Sequence, residues 1–338
     1  GNTASLGGGG GIFNGGTLTI LTVTNSTLSG NSAASSGGGI YNNSGTLTLT
    51  NSTLSGNTAS LGDGGGIYNI SGSTTLTTLT NSTLYGNSAA NQGGGIYNRF
   101  GSLTLTNSTL SGNSAANQGG GIYNRSGSTT LTTLTNSTIS GNTAGSSGGG
   151  IYNRSGTLNV TNSTLSGNTA GSSGGGIYNK TGSTLNIANT IIANSTDGAS
   201  NPINDYDGNG TVIIPASTNN IVTLDISTTT SAWATTKTSA EINLGPLQDN
   251  GGPTFTMALG TGSVAIGAGN TTISNAAPIN GKDQRGINRT TSDIGSYAYL
   301  APSTANDIVI SVNTSGQVGL FLSSAGTAIT DFHTAFAG

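Results

Sequence analysis

The stretch that decides the fold reads GGGIYN at residues 37–42 and continues with TLTNSTLSGN at residues 48–57. The first phrase, with Phe in place of Tyr in its first copy, occurs seven times, and the second phrase recurs between the copies. The Ile of the first phrase lies at Ile12, Ile40, Ile67, Ile96, Ile122, Ile151 and Ile177. Because these positions are 26 to 29 residues apart, the chain is built from repeats of about 27 residues.

Each repeat carries the pattern of short strands. In the second repeat Leu47 and Leu49 alternate with Thr46, Thr48 and Thr50, which is the period of a half-buried strand. Gly and Asn at the ends of such segments tolerate the backbone conformations that turn a corner. Triple Gly and dense Thr disfavour a helix. We therefore expect three strands per repeat and an all-β fold: a parallel β-helix (solenoid) of about seven to ten coils, followed by an irregular β-rich C-terminal module.

Stacking of the coils predicts columns of identical residues. The Ile column and a second column should fill the interior; the second comprises Leu28, Leu54, Leu84, Leu110, Ile139 and Leu165. A corner column should form a hydrogen-bonded amide ladder; it comprises Asn25, Asn51, Asn81, Asn107, Asn136 and Asn162. On this interpretation the Asn-Ser-Thr sequons follow from the repeat, because an interior Asn could not carry a glycan. An aromatic column should stack outside; it comprises Phe13, Tyr41, Tyr68, Tyr97, Tyr123, Tyr152 and Tyr178.

Composition limits the classes of function. The 338 residues include eight basic and eleven acidic side chains and no Cys. Residues 1–195 hold one acid, Asp63, against four bases, whereas residues 196–338 hold ten acids against four. Neither part has the dense basic patch of a nucleic-acid-binding protein, and no apolar run is long enough for a transmembrane segment. We expect a β-helix over residues 1–204, a C-terminal module over 205–300 and a strand-rich tail over 301–338.

Two resemblances follow from these phrases. The Gly-Gly-x-Ile and Ser-Gly-Asn phrases of residues 1–195 resemble repeats of the polymorphic outer-membrane-protein type, which implies a right-handed β-helix in a secreted or surface-displayed protein, often an adhesin. Residues 205–300 resemble the choice-of-anchor Q domain of bacterial surface β-helix proteins. This likeness is carried by LGPLQDNGGPT from Leu244, GSVAIGAG at 262–269, DQRG at 283–286 and DIG at 293–295, with departures at Val264, Gly267 and Ala298.

Candidate catalytic and metal-binding groups are few. Glycoside hydrolysis needs two carboxylates, and the repeats offer only Asp63, while the sole His, His333, has no evident partner. We therefore expect no enzyme, no catalytic residue and no organic cofactor. Asp205, Asp207 and Asn209 match the start of a calcium loop, but the twelfth position holds Ala216 instead of Glu. The alternative is an acidic turn after the solenoid.

Two columns are candidate ligand surfaces. Arg99, Arg125, Arg154 and Lys180 each follow a Tyr-Asn phrase; they form either a track for anionic polysaccharide or a solvated edge that resists aggregation. Thr columns include Thr48, Thr50, Thr104 and Thr106; they resemble ice-binding faces, or they reflect the preference of Thr for exposed strands.

The sequence favours an extracellular or cell-surface protein, bacterial in origin, with a structural or adhesive function in an extracellular matrix. A carbohydrate- or ice-binding module is the alternative, and a polysaccharide-acting enzyme comes third. The chain begins within a repeat, which we interpret as a processed or truncated product. Open coil ends can template further strands, so we also expect head-to-tail self-association into filaments.

Overall fold

The computed structural model describes residues 1–16, 19–70, 76–125, 131–198, 203–213, 218–223 and 233–301, together with the backbone of 307–312 and 318–323. One compact unit comprises Gly1–Tyr299, and Leu300–Gly338 forms another. The first unit is the predicted all-β parallel solenoid. In the second, Asp307–Val312 and Val318–Ser323 form an antiparallel hairpin.

Each coil contributes four strands, and the prediction of three was wrong. The fourth strand is only two residues long, too short for an alternating pattern to show in the sequence. These short strands stack as sheet A: Thr3–Ala4, Ser32–Ala33, Thr58–Ala59, Ser88–Ala89, Ser114–Ala115, Thr143–Ala144, Thr169–Ala170 and Thr196–Asp197. The Ile-Tyr-Asn strands stack as sheet B: Ile12–Gly15, Ile40–Asn43, Ile67–Ile70, Ile96–Arg99, Ile122–Arg125, the start of Ile151–Thr161, Ile177–Asn179 and Tyr206–Asp207.

The remaining two stacks complete the coil. Sheet C holds the Thr-rich strands: Ile20–Thr24, Thr46–Thr50, Leu76–Thr80, Ser102–Thr106, Leu131–Thr135, the end of Ile151–Thr161, Ser183–Ala188 and Thr211–Val212. Sheet D holds the Thr-Leu-Ser strands: Thr27–Ser29, Thr53–Ser55, Thr83–Tyr85, Thr109–Ser111, Thr138–Ser140, Thr164–Ser166, Ile191–Ala193, Asn220–Val222 and Ala234–Thr236. Strands between residues 206 and 222 thus add to sheets B, C and D; the boundary placed at 204 stays a prediction.

The interior consists of the predicted aliphatic columns. Ile67 pairs with Ile40 and Ile96, and Leu84 pairs with Leu54 and Leu110, in parallel register. All six side chains are fully buried in one continuous cluster. Burying a Leu or Ile contributes roughly 1.5–3 kcal/mol, so the columns supply most of the stabilisation. At the C-terminal end of the cluster, Tyr206 and Trp233 meet edge to face at 5.3 Å.

The triple Gly allows the coils to approach closely before sheet B. Gly93 has a φ of 66°, a left-handed conformation that favours glycine. A Cβ on Gly94 would lie 2.4 Å from the carbonyl oxygen of Ser114 in the next coil. Any larger residue would therefore separate the coils.

The buried amide ladders lie elsewhere than predicted. Asn25 and Asn51 are exposed corner residues with φ near 50°. Asn136 and Asn162 of the same column are buried, but they bond to Lys282 and Ser274 and not to each other. The prediction of an interior ladder along this column was therefore wrong, and with it the argument that every sequon Asn lies in the interior. One real ladder lies in the Ser-Gly-Asn phrase, where each Nδ2 donates to the next Oδ1 at 2.8–3.0 Å; it comprises Asn31, Asn57, Asn87, Asn113, Asn142 and Asn168. Another lies in the Tyr-Asn phrase and comprises Asn14, Asn42, Asn69, Asn98, Asn124, Asn153 and Asn179.

The segment after the solenoid returns along sheet D. It includes the helix Ser239–Ile242, the antiparallel strands Leu244–Gln248 and Thr256–Leu259, and the helix Thr271–Asn275. Its residues contact successive coils, since Ser296 bonds to Thr164, Gln284 accepts from Thr138, and Phe255 accepts from Thr109. Residues 237–299, called the return segment below, therefore cover much of the outer face of sheet D.

Candidate ligand-binding surfaces

The predicted basic column lies at the end of sheet B and is not fully regular. Arg99 and Arg125 are directly paired. A bulge then places Ser155, and not Arg154, opposite Arg125. Lys180 follows the next strand and is exposed. The structure thus brings the four cations onto successive coils but interrupts their register at Arg154.

The aromatic column beside these cations is stacked, as predicted, with neighbouring ring centroids 5.0–5.2 Å apart. It does not lie open on the outside, because Tyr68, Tyr97, Tyr123 and Tyr152 are each less than 9% exposed. This part of the prediction was wrong, because the rings pack against one another in a buried cluster.

The basic column and the aromatic column lie side by side. Nη1 of Arg154 donates to the Tyr123 hydroxyl at 3.0 Å. Arg99 and Arg125 lie near the hydroxyls of Tyr68 and Tyr97 and favour their ionised forms. Each arginine therefore lies beside a tyrosine of the preceding coil, and Arg154 is anchored to it. A guanidinium has five N–H donors, so such an anchor leaves donors for a further anionic partner.

Burial controls the ionisation of this region. It raises the pKa of the Tyr68 hydroxyl to about 12; Tyr97, Tyr41 and Asp63 add to the rise, and the neighbouring Arg99 guanidinium opposes it. Burial also raises the pKa of the Asp63 carboxyl, against the lowering effects of the Gln92 backbone N–H, Arg125 and Arg99. Asp63 Oδ1 accepts from that N–H at 3.0 Å. The carboxylate therefore helps to hold a loop beside the column.

The Thr columns stack on the outer face of sheet C. Thr78 pairs with Thr48 and Thr104, and Thr80 pairs with Thr50 and Thr106. These side chains are half-buried. Further along, residues 273–279 of the return segment overhang the face and form a cavity of about 580 Å³ with Thr133, Asn159 and Asn186. The face is therefore partly a groove, which leaves the coils up to Thr106 as the open part.

The carboxylates of the predicted calcium site already accept hydrogen bonds from the protein. Asp205 is fully buried, and its carboxylate accepts from the backbone N–H of Ser195 at 2.8 Å and of Thr223 at 2.6 Å. In earlier coils the same N–H bonds to the next Asn of the ladder, so Asp205 continues that ladder. Asp207 accepts from the N–H of Gly208, and Asn209 is exposed. A cation would have to displace the donors on Asp205, and the site stays a prediction.

No cluster of three His, Cys, Asp or Glu side chains that could hold a metal occurs within the described residues. His333 lies outside them. No helix among the described residues is long and apolar enough to cross a membrane.

Sequence reasoning missed two aromatic side chains that line one groove on sheet D. Tyr85 and Phe255 are 59% and 53% exposed. The sequence does contain one indication of this groove: Tyr85 stands where the paired strands have Ser55 and Ser111.

Comparison with known proteins supports the repeat assignment. The model of the Chlamydia polymorphic membrane protein repeat matches residues 25–43, 81–99, 107–125, 136–154 and 162–180. Each matched stretch runs from the corner Asn through sheets D, A and B, which leaves the Thr-rich strand of sheet C outside. No curated protein and no solved structure gave a significant match. The repeats and the parallel solenoid together make this chain similar to surface β-helix proteins of the polymorphic membrane protein type. Proteins of that type are non-enzymatic, and the similarity indicates a location on a bacterial surface.

Proposed function

We propose that this protein is an adhesive structural rod displayed on a bacterial surface. The observation that carries the proposal is the parallel stacking of coils in a solenoid that includes five matches to the polymorphic membrane protein repeat. Each coil contacts its neighbours and satisfies its buried amides within the stack. The outer faces that the return segment leaves uncovered, such as the Thr columns up to Thr106, are then available to bind other surfaces.

The scarcity of convergent acids supports adhesion over catalysis. Asp63 is the only acid in residues 1–195, and its carboxylate is engaged by a backbone N–H. Hydrolysis of a polysaccharide would need a second carboxylate at a defined distance. A polysaccharide-acting enzyme, ice binding and filament formation stay predictions, as does the likeness to the choice-of-anchor Q domain.

Two measurements test the proposal. Antibodies against the folded chain should label intact, unpermeabilised cells of the source organism, and beads coated with the chain should adhere to cells or to their surface polysaccharide. Beads coated with heat-unfolded chain are the control. Absence of label from intact cells together with equal retention of both bead types would overturn the proposal.

A second candidate function is binding of anionic polysaccharide by the basic column. The observation that favours it is the position of Arg99, Arg125 and Arg154 on neighbouring coils, each beside a tyrosine of the preceding coil, with Arg154 hydrogen-bonded to Tyr123. Uronate or sulfated polymers should then retain the protein in a salt-dependent manner.

Two matched double variants distinguish binding at the basic column from a general effect of net charge. Arg99→Gln with Arg125→Gln should lose most of the retention, whereas Lys237→Gln with Lys282→Gln removes the same charge from the return segment and should not. Equal loss in both pairs would show that retention reflects net charge and not the column.

A further inference from the structure

The groove between sheet D and the return segment has a distinct lining. It encloses about 600 Å³, which lies within the usual range of roughly 300–1,000 Å³ for small-molecule sites. Hydroxyl groups of Thr53, Ser55, Thr83 and Ser111 belong to the sheet side of the groove, and Tyr85 and Phe255 supply aromatic surface. Among the residues that the structure describes, no Lys, Arg, Asp, Glu or His side chain lines it.

Tyr85 departs from the residue type that the other repeats have at this position. Its partners in the adjacent strands are Ser55 and Ser111, and the later strands have Ser140 and Ser166 at the same position. The stack therefore packs with Ser here and does not require an aromatic ring. Yet the Tyr85 side chain is 59% exposed, and large exposed apolar surface is typical of binding sites.

Phe255 is held in place by its backbone while its ring remains exposed. The Thr109 hydroxyl donates to the Phe255 carbonyl at 2.7 Å, and the Thr254 hydroxyl donates to the Asn107 carbonyl at 3.0 Å. The buried Gln284 amide donates to Thr254 Oγ1 at 2.9 Å and to Thr109 Oγ1 at 2.8 Å. This wall of the groove is therefore positioned before any ligand arrives, which lowers the entropic cost of binding.

We propose that this groove binds a short uncharged oligosaccharide. Serine and threonine hydroxyls both donate and accept hydrogen bonds, as sugar hydroxyls do, and the rings of Tyr85 and Phe255 offer apolar faces to the C–H surface of a pyranose. The absence of ionic side chains from the lining removes any electrostatic reason to prefer an anionic ligand. The proposal deepens the adhesive function proposed above by assigning it a ligand class and a site.

The test is direct binding of uncharged glucose-, galactose-, mannose- and N-acetylglucosamine-based oligosaccharides to the intact chain, followed by saturation-transfer NMR and calorimetry. Tyr85→Ser restores the side chain of the neighbouring strands, so this variant should fold as the original does. Tyr85→Ser and Phe255→Ala should each weaken binding at least about tenfold. Leu61→Ser is the matched control, because it removes an exposed apolar side chain elsewhere and should leave binding unchanged.

The outcomes separate this inference from the adhesive function. If the beads adhere to cells but no uncharged oligosaccharide binds, or if Tyr85→Ser binds as tightly as the original, the groove assignment is overturned and adhesion stands. Binding of a peptide library in place of saccharides would also overturn it. Failure of bead adhesion with retained, Tyr85-dependent oligosaccharide binding would support the groove and overturn the adhesive function.

Discussion

The repetitive coils and the return segment satisfy their buried polar groups in different ways. In the coils, Asn57 bonds to Asn87 and Asn87 bonds to Asn113, each through the same atoms at 2.9 Å. In the return segment, Asp283 accepts from the N–H groups of Arg285, Ile287 and Ala298 at 2.9–3.0 Å. One solution repeats with every coil, and the other is specific to a single position.

This difference explains the uneven distribution of charge along the chain. A stacked coil finds its partner in the next copy, so neutral amides suffice and residues 1–195 need only five charged side chains. Where repetition ends, isolated loops must be held by stronger, charge-assisted bonds. Arg289 donates to the carbonyls of Lys282, Asp293 and Gly295 at 2.8–3.2 Å. Charge thus replaces repetition as the source of order.

The largest effect should come from placing a charge inside the repetitive core. Ile96→Asp introduces a carboxylate into a fully buried apolar column, and we expect a loss of more than about 4 kcal/mol in the free energy of unfolding. Denaturant unfolding and hydrogen exchange of adjacent coils measure it. Ile20→Asp is the control, because Ile20 is 77% exposed. An Ile96→Asp variant as stable as the Ile20→Asp variant would contradict the assigned register.

The next effect concerns the return segment. Asp283→Ala leaves the Arg285 guanidinium, which lies 2.7 Å from the carboxylate and is almost fully buried, without its partner. Breaking such a pair costs about 3–5 kcal/mol. Hydrogen exchange should rise across residues 237–299 while the first coils stay protected. Asp249→Ala, in an exposed loop, should change little, and uniform deprotection of the whole chain would show that the two regions unfold as one.

A smaller effect distinguishes the two kinds of Asn column within one coil. Asn113 bonds to Asn142 and to the Leu84 carbonyl, so Asn113→Ala should cost about 1–3 kcal/mol by leaving buried groups unsatisfied. Asn107 instead occupies a corner with a φ of 50°. Asn107→Gly keeps that conformation and should change stability by less than about 0.5 kcal/mol. Thermal unfolding of the two variants gives the comparison, and equal losses would contradict the ladder assignment.

These Asn columns also show what sequence can and cannot predict. Parallel stacking and the Ile and Tyr columns follow from a fixed period, because identical residues must meet in adjacent coils. The two kinds of Asn recur with that same period, so periodicity cannot decide which amide points inward. The position of Gln284 was beyond prediction for a different reason. Its motif occurs once, and its partners Thr109 and Thr138 lie 175 and 146 residues away.

The smallest effect is a pH dependence that arises from the repetitive region. The pKa of Tyr68 is raised from 10.0 to about 12, chiefly by burial, so the folded state retains the proton more strongly than the unfolded state. The stabilisation is fully present below pH 10 and is lost as the pH rises towards 12. One such proton changes the free energy of unfolding by at most about 1.4 kcal/mol per pH unit. Tyr68→Phe also removes the hydroxyl beside Arg99, which changes stability at every pH, so the slope and not the absolute value is the measurement. Between pH 10 and 12 the slope of the variant should be shallower than that of the original chain. Equal slopes for Tyr68→Phe and the original chain would mean that burial does not raise the pKa of the Tyr68 hydroxyl.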